Sequence, residues 1–158
     1  MAIYMKYGKI KGDVTTKQFE HWIALHSFQW GVGRHIDSQH GVGQSRQGNH
    51  ASVSEIVVTK VLDPASLHIL TDIFKGKLET EVDIHFTHTD AANAQYLKVK
   101  LWETGISGYS VSTSGDRPHE SLTLNFTKIS VTDIKVSPDG KTKTPETITY
   151  DLAKMMMS

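Results

Sequence analysis

The residues of this chain best suited to chemistry are its nine histidines, which are able to bind a metal ion or transfer protons. Two of them, His85 and His88, lie in the segment "HFTH". Because this segment has the composition of a β-strand, residues three positions apart point to opposite faces and cannot bind one ion. His35, His40 and His50 lie in a glycine-rich segment without an acidic cluster. The sequence therefore predicts no metal site.

Other catalytic chemistry also lacks its motifs. The absence of cysteine removes thiol nucleophiles and thiolate metal sites. The hydrolase motif G-x-S-x-G is absent, and neither "GVG" tripeptide continues to G-x-G-x-x-G. Lys and Arg number 17, as do Asp and Glu, whereas binding to nucleic acid or an anionic membrane needs excess positive charge. We therefore expect no enzyme activity, no cofactor, no nucleic-acid partner and no membrane insertion.

One charged cluster interrupts the segment "ISGYSVSTSGDRPHESLTLNF", residues 106–126. Asp116 and Arg117 stand beside Pro118, and Glu120 follows closely. Glycine, aspartate and proline are typical turn residues, and catalysis would need a partner base or a pocket that the sequence does not indicate. We interpret the cluster as the polar turn of a hairpin rather than as an active site.

Most of the remaining chain has β-strand composition, with a single helix predicted over about 64–75. Asp63 is suited to the N-cap of this helix, Pro64 to its first position and Gly76 to its end. Its apolar residues recur at helical spacing and are expected to lie against a sheet: Leu67, Leu70, Ile73 and Phe74. "HWIALHSFQWGVGR" is predicted to form one long strand. Residues 31–52 are rich in glycine and polar side chains, and we predict a long loop there.

The apolar phase of the later strands predicts the architecture. In residues 119–136 the apolar side chains change phase twice, which requires a bulge or bend in the strand. Gly105 and Gly108 permit the same change in the preceding segment. Strands that change phase connect two sheets. With 158 residues, one domain over 1–158 is the default. The predicted fold is mainly β, a compact β-barrel or two-sheet sandwich with one flanking helix.

One face of a predicted strand combines aromatic and basic residues. If Leu97, Val99 and Leu101 face the core, the opposite face carries Tyr96, Lys98, Lys100 and Trp102. Such mixtures are typical of protein–protein contacts. A tryptophan buried under a helix or loop remains an equal alternative.

The chain resembles the haemolysin-coregulated protein family, Hcp, the tube subunits of the bacterial type VI secretion system. The resemblance lies in "MAIYMKYGKIKGDVT", "SFQWGVGR", "VSEIVVTKVLDPAS", "ISGYSVSTSGDRPHESLTLNFTKI" and "YDLA". It implies a phage tail-tube-like fold and hexameric rings that stack into a hollow tube. It also implies a VgrG spike and a contractile sheath as partners, effectors carried in the lumen, and no catalytic residues.

The resemblance implies that the polar and aromatic surfaces are candidate contacts between subunits. We expect the long loop to contact adjacent rings and the polar turn to lie at a rim. The candidate interface residues are Trp30, Arg34, Gln44, Arg46, Tyr96, Lys98, Trp102, Asp116, Arg117 and Glu120. The N-terminal stretch has no run typical of a signal peptide, so we expect cytoplasmic synthesis and secretion without a cleaved leader. Two alternatives are a monomeric ligand-binding β-sandwich that uses Trp102 and a metal-dependent hydrolase that uses loop histidines.

Overall fold

A computed structural model describes residues 1–37, 47–88, 94–141 and 143–158. These residues are mainly β, as predicted, with one helix, α1 (Ser66–Lys75). The strands are β1 (Ala2–Tyr7), β2 (Ile23–Leu25), β3 (Ser27–Gln29), β4 (Val32–Asp37), β5 (Gln47–Val53), β6 (Ile56–Val61), β7 (Thr80–Thr87), β8 (Gln95–Ser112), β9 (His119–Asn125), β10 (Lys128–Val136), β11 (Lys143–Asp151) and β12 (Met156–Met157).

Two antiparallel sheets share the long strand β8. The larger sheet has the order β12-β11-β10-β8-β7-β1-β2. In the smaller sheet β8 pairs with β9, β9 with β6, and β6 with β3. The two-sheet arrangement confirms the predicted fold class. The sheets do not close into a full barrel within the described residues, because no strand pairing joins β2 to the smaller sheet.

Strand β8 passes from one sheet to the other near Glu103. Residues up to Thr104 pair with β7, and pairing with β9 begins at Gly105. Glu103 has φ of 49°, a left-handed conformation that is unusual for a residue with a side chain. A Cβ at Gly105 would lie 2.2 Å from Leu78 Cδ2, so only glycine fits without a shift of Leu78. The predicted phase change is therefore confirmed here.

A similar change of sheet occurs in residues 119–136. Phe126 and Thr127 separate β9, in the smaller sheet, from β10, in the larger one. Both Phe126 and Ile129 are buried, so the interruption accounts for the first of the two predicted phase changes. The second was wrong, because β10 pairs with β11 from Lys128 to Val136 without a shift of register. The predicted single strand over "HWIALHSFQWGVGR" was wrong for the same reason: it divides at His26 into β2 and β3, which belong to different sheets.

The segment 31–52, predicted as a loop, instead contains most of a two-stranded hairpin. Strands β4 and β5 pair from Val32↔Val53 to Asp37↔Gln47. The Gly31 N–H donates to Ser54 Oγ, and the Ser54 N–H donates to the Gly31 carbonyl, at 2.9 Å each. Residues 38–46 lie outside the described residues. The strand signal was missed because main-chain bonds hold this hairpin and few apolar side chains mark it.

Helix α1 lies within the predicted range but buries only part of the predicted apolar face. Its N-cap is Ala65 rather than Asp63, although Asp63 Oδ1 still accepts a hydrogen bond from the Ala65 N–H at 3.0 Å. Ile69 is fully buried in the core, whereas Leu67 is 75% and Phe74 81% exposed. The predicted apolar stripe was therefore wrong at Leu67 and Phe74, whereas Ile73 of the same stripe is partly buried and packs against the core. The core lies between the sheets and is lined by alternate apolar residues of both.

The segment between β1 and β2 covers His85 with aromatic rings. Phe19 stacks on Tyr4 at 4.6 Å, and the Trp22 and His85 ring centroids are 4.8 Å apart. His85 Nδ1 is buried and has no hydrogen-bond partner among the described residues. Burial, with a smaller effect of Lys98, lowers the pKa of His85 from 6.5 to about 4.

The corrected face of α1 predicts unequal effects of two similar truncations. Ile69→Ala should lower the free energy of unfolding by about 2–5 kcal/mol, because it leaves a cavity in the core. Leu67→Ala should change it by less than about 0.5 kcal/mol, because Leu67 is exposed. Urea denaturation followed by tryptophan fluorescence at one protein concentration would measure both. Equal losses would contradict the observed orientation of the helix.

The aromatic cover over His85 predicts a loss of stability in acid. The unfolded chain takes up a proton near pH 6.5, whereas folded His85 stays neutral down to about pH 4. The contribution is therefore fully present above pH 6.5 and is lost as pH falls from there towards 4. Thermal unfolding of wild type and His85→Phe should diverge progressively as pH falls from 7 to 4.5, to the advantage of the variant. His68→Phe, which changes an exposed histidine, should follow wild type; a His85→Phe curve parallel to wild type would oppose this account.

Candidate functional site

An apolar groove lies where the foot of the β4–β5 hairpin meets β10, β11 and β12. It encloses a volume of about 150 Å³, and its lining includes Trp30, Val32, Val131, Ile148 and Met157. Ile148 is 56% exposed and Met157 68%. Trp30 Nε1 is buried without a hydrogen-bond partner among the described residues. This groove combines exposed apolar surface with an unsatisfied donor, which is unfavourable for an isolated chain.

The outer edge of β11 borders the groove. Strand β12 pairs with β11 only at Tyr150 and Asp151, and two further backbone bonds join Thr149 to Ser158. No strand in the described parts of the chain pairs with this edge ahead of Thr149. An unpaired edge can add a strand from another chain. Pro145, which has no N–H, limits such pairing at its own position.

A second apolar surface lies on the outer side of α1. It consists of Leu67 and Phe74, with Leu78 just beyond the helix at 70% exposure. Lys75 and Lys77 lie next to it in the chain and are exposed. Leu67, Phe74 and Leu78 form the α1 stripe, which is exposed to solvent rather than buried in the core.

Trp102 is half-buried between two lysines rather than freely exposed. Lys128 Nζ lies 4.8 Å and Lys100 Nζ 5.3 Å from its ring centroid. Lys128 is directly opposite Trp102 in the register of β8 and β10. The predicted mixture of aromatic and basic side chains therefore exists on this face. The two lysines already make cation–π contacts with the indole ring within the chain. Lys98 also lies on this side, as the partner of His85 in β7.

Tyr96 does not lie on the face predicted for it. Pairing with β7 passes from Phe86↔Leu97 directly to Thr87↔Gln95, which leaves Tyr96 as an extra residue in a bulge. Its ring packs against His88 at 4.6 Å and against Phe86 at 6.2 Å, next to the core. Sequence alternation alone could not locate this bulge.

The polar turn is held to the chain segment before α1. Arg117 Nη2 donates to the Leu62 carbonyl at 2.6 Å, and the Leu62 N–H donates to the Pro118 carbonyl at 2.9 Å. Thr113 Oγ1 donates to the Asp116 carbonyl at 2.7 Å. The interpretation of Asp116 and Arg117 as turn residues agrees with these contacts. Arg34 is exposed on β4, and Gln44 and Arg46 lie outside the described residues.

Glu120 was wrongly expected at a surface, because it is 1% exposed inside the chain. Its Oε1 lies 2.5 Å from Nζ of Lys60, which is fully buried. Ser66 Oγ donates to the same carboxylate oxygen at 2.6 Å, and Tyr109 donates to the other oxygen. Lys60 Nζ is also 2.9 Å from Asp63 Oδ1. These five residues form the Lys60 cluster, which joins β6, β8, β9 and the start of α1.

The Lys60 cluster keeps Glu120 ionised. Burial acts to raise the pKa of Glu120, but hydrogen bonds from Lys60, Ser66 and Tyr109 together lower it below its usual value. Burial and the bond to Glu120 raise the pKa of Tyr109 to about 12. Lys60 Nζ and both carboxylate oxygens of Glu120 have partners, and the arrangement is typical of a structural ion pair.

The described residues contain no group of three or more histidine or acidic side chains placed to hold a metal ion. Within the same residues, no helix has the length and apolarity needed to cross a membrane.

Comparison with known proteins gives a consistent result. The profile of the family described as "Type VI secretion system effector, Hcp" matches residues 4–132. No curated protein sequence matches the chain.

Solved structures share the fold. A structure described as a type six secretion system protein superposes with a TM-score of 0.88 at 19% identity, over 99% of each chain. Hcp1 from Salmonella typhimurium gives 0.75 at 18% identity over 100% of each chain. A type VI secretion system effector from Yersinia pestis gives 0.74 at 21% identity, over 94% of this chain and 98% of that one.

The Lys60 cluster predicts a large penalty when one charge is removed. Lys60→Met should lower the free energy of unfolding by about 3–5 kcal/mol, because Glu120 is left buried without its cation. Adding Glu120→Gln to the same chain should recover part of that loss. Chemical denaturation of wild type, both single variants and the double variant would measure the coupling. Strictly additive losses would show that the two side chains do not interact.

Proposed function

The chain belongs to the Hcp family of type VI secretion system proteins, and on that premise we propose that it is a structural subunit of the inner tube of this system. In this proposal six copies form a ring, and rings stack into a hollow tube. Proteins of this family are secreted. The proposed role is assembly rather than catalysis, and it needs surfaces that bind other copies of the same chain.

The observation that carries the proposal is the apolar groove beside the open edge of β11. A ring requires a heterologous contact in which one surface of a subunit meets a different surface of its neighbour. A neighbouring copy seated on the groove would remove Ile148 and Met157 from water. Burial of apolar surface stabilises a contact by about 25 cal/mol per Å², so this contact would favour association at every subunit.

The β4–β5 hairpin supports the stacking part of the proposal. It pairs with no other strand among the described residues, and its base is fixed by the two bonds between Gly31 and Ser54. A hairpin attached only at its base is able to reach across to an adjacent ring. Arg34 lies on this element, and Arg34, Gln44 and Arg46 remain candidate stacking residues. Asp116 and Arg117 remain candidates for a rim contact.

The further partners follow from the family and not from particular contacts in this chain. We propose that a VgrG spike caps the tube, that a contractile sheath surrounds it, and that secretion accompanies sheath contraction with effectors in the lumen. The α1 stripe is exposed apolar surface that the groove contact does not involve. Lys98 and Trp102 remain candidate interface residues of the tube.

The first experiment is the solution mass, measured by light scattering after size-exclusion chromatography. A hexamer of the 17.6 kDa chain would support the ring. A monomer at all concentrations would contradict it and favour the ligand-binding β-sandwich.

The groove predicts which surface substitution disrupts assembly. Ile148→Glu should convert the hexamer to smaller species, because burying an unpaired carboxylate in an apolar contact costs several kcal/mol. Val111→Glu is the matched control: it introduces the same charge at a strand residue of similar exposure, 54% against 56%, outside the groove lining. It should remain hexameric, and circular dichroism should show both variants folded. Intact Ile148→Glu hexamers would exclude the groove as the ring contact.

A further inference from the structure

Two histidines that are distant in the sequence meet on the outer surface of the smaller sheet. The rings of His26 and His119 have centroids 5.9 Å apart and an interplanar angle of 81°. Both side chains are exposed. The ring contacts of His85 and His88, by contrast, involve phenylalanine, tryptophan and tyrosine.

The backbone holds both residues in place around β6. His26 is the residue between β2 and β3, and its N–H donates to the Thr59 carbonyl of β6 at 2.7 Å. His119 pairs with Val61 of β6 on one side and with Ser112 of β8 on the other. The two rings therefore project from positions on either side of one strand. The backbone at both histidines is already ordered, so binding of a ligand between them would require little further ordering.

From this pairing we propose that His26 and His119 form a two-histidine site for a late first-row divalent metal ion, such as Zn²⁺ or Cu²⁺. Imidazole nitrogen is a preferred ligand of these ions. With metal–nitrogen bonds of about 2.0–2.1 Å, two imidazoles on one ion have ring centres roughly 4.5–6 Å apart. The observed centroid separation of 5.9 Å is within that range. Water would complete the coordination, because no third histidine or acidic ligand is grouped with them in the described residues.

The surrounding charges leave the site open to a cation. Lys60 and Glu120, the nearest charges in the adjoining strands, are buried and paired with each other. Arg117, two residues from His119, is exposed and donates to the Leu62 carbonyl. Its positive charge lowers the affinity for a cation, so we expect a weak site that selects by ligand chemistry: Cu²⁺ should bind more tightly than Zn²⁺, and Mg²⁺ should not bind. The site does not depend on the proposed tube function.

The test is calorimetric titration of the untagged protein with ZnCl₂ and, separately, CuCl₂, in a non-chelating buffer at neutral pH. Wild type should bind one ion per chain. This binding should be lost, or its affinity reduced by about tenfold or more, in both His26→Ala and His119→Ala, because each substitution removes one of the two protein ligands. His68→Ala, which removes an exposed histidine on α1, is the matched control and should bind as wild type does. Binding should also weaken as the pH is lowered, because protons compete for the imidazole nitrogens.

Both histidines are exposed, so the variants should fold, and His26→Gln and His119→Gln provide a second pair that keeps side-chain size. Loss of binding in only one of the two positions would overturn the proposal, since the ion would then have other ligands. Unchanged binding in both, or no binding by wild type, would also overturn it and leave the pair as an edge-to-face ring contact. Tube assembly can be scored independently by solution mass.

Discussion

The constraint on which this fold depends is that one strand, β8, belongs to both sheets. Side chains along a strand alternate strictly, so an extended strand can serve two sheets only if its pairing changes midway. The left-handed Glu103 and the close approach of Gly105 to Leu78 allow that change. Strands β7 and β10 flank its first part, and β9 pairs with the second. Every strand of the sandwich is therefore connected through β8.

The Lys60 cluster fixes the positions of α1 and the polar turn, which β8 alone does not determine. Ser66 at the start of the helix and Glu120 at the start of β9 both bind Lys60. Arg117 then ties the turn to Leu62. A buried ion pair is weak evidence for net stability, but it penalises every arrangement that separates its members. The turn is thus part of the scaffold, and its charges orient the helix rather than perform chemistry.

The surfaces differ in how well the sequence indicated them. Trp30 was a candidate interface residue, but the hairpin next to it was predicted as a loop, and the groove behind Trp30 was not predicted, because its other walls come from β10, β11 and β12. Trp102 lies beside lysines as predicted, although they already cover its ring. Tyr96 and Glu120 were placed on the wrong side: a bulge redirects the first, and the second has a buried cation 60 residues away in the chain.

The sequence by itself determined the mainly-β class, the helix and the phase changes that lead from one sheet to the other, because these depend on local composition and on the two-residue alternation of a strand. It also carried the family resemblance, which the matching profile confirmed. Only the tertiary structure decided which face of α1 is buried, which chain segments line the groove, and that His26 and His119 meet across β6. Those outcomes depend on strand pairing between distant segments, and side-chain alternation specifies that a face is buried without specifying what covers it.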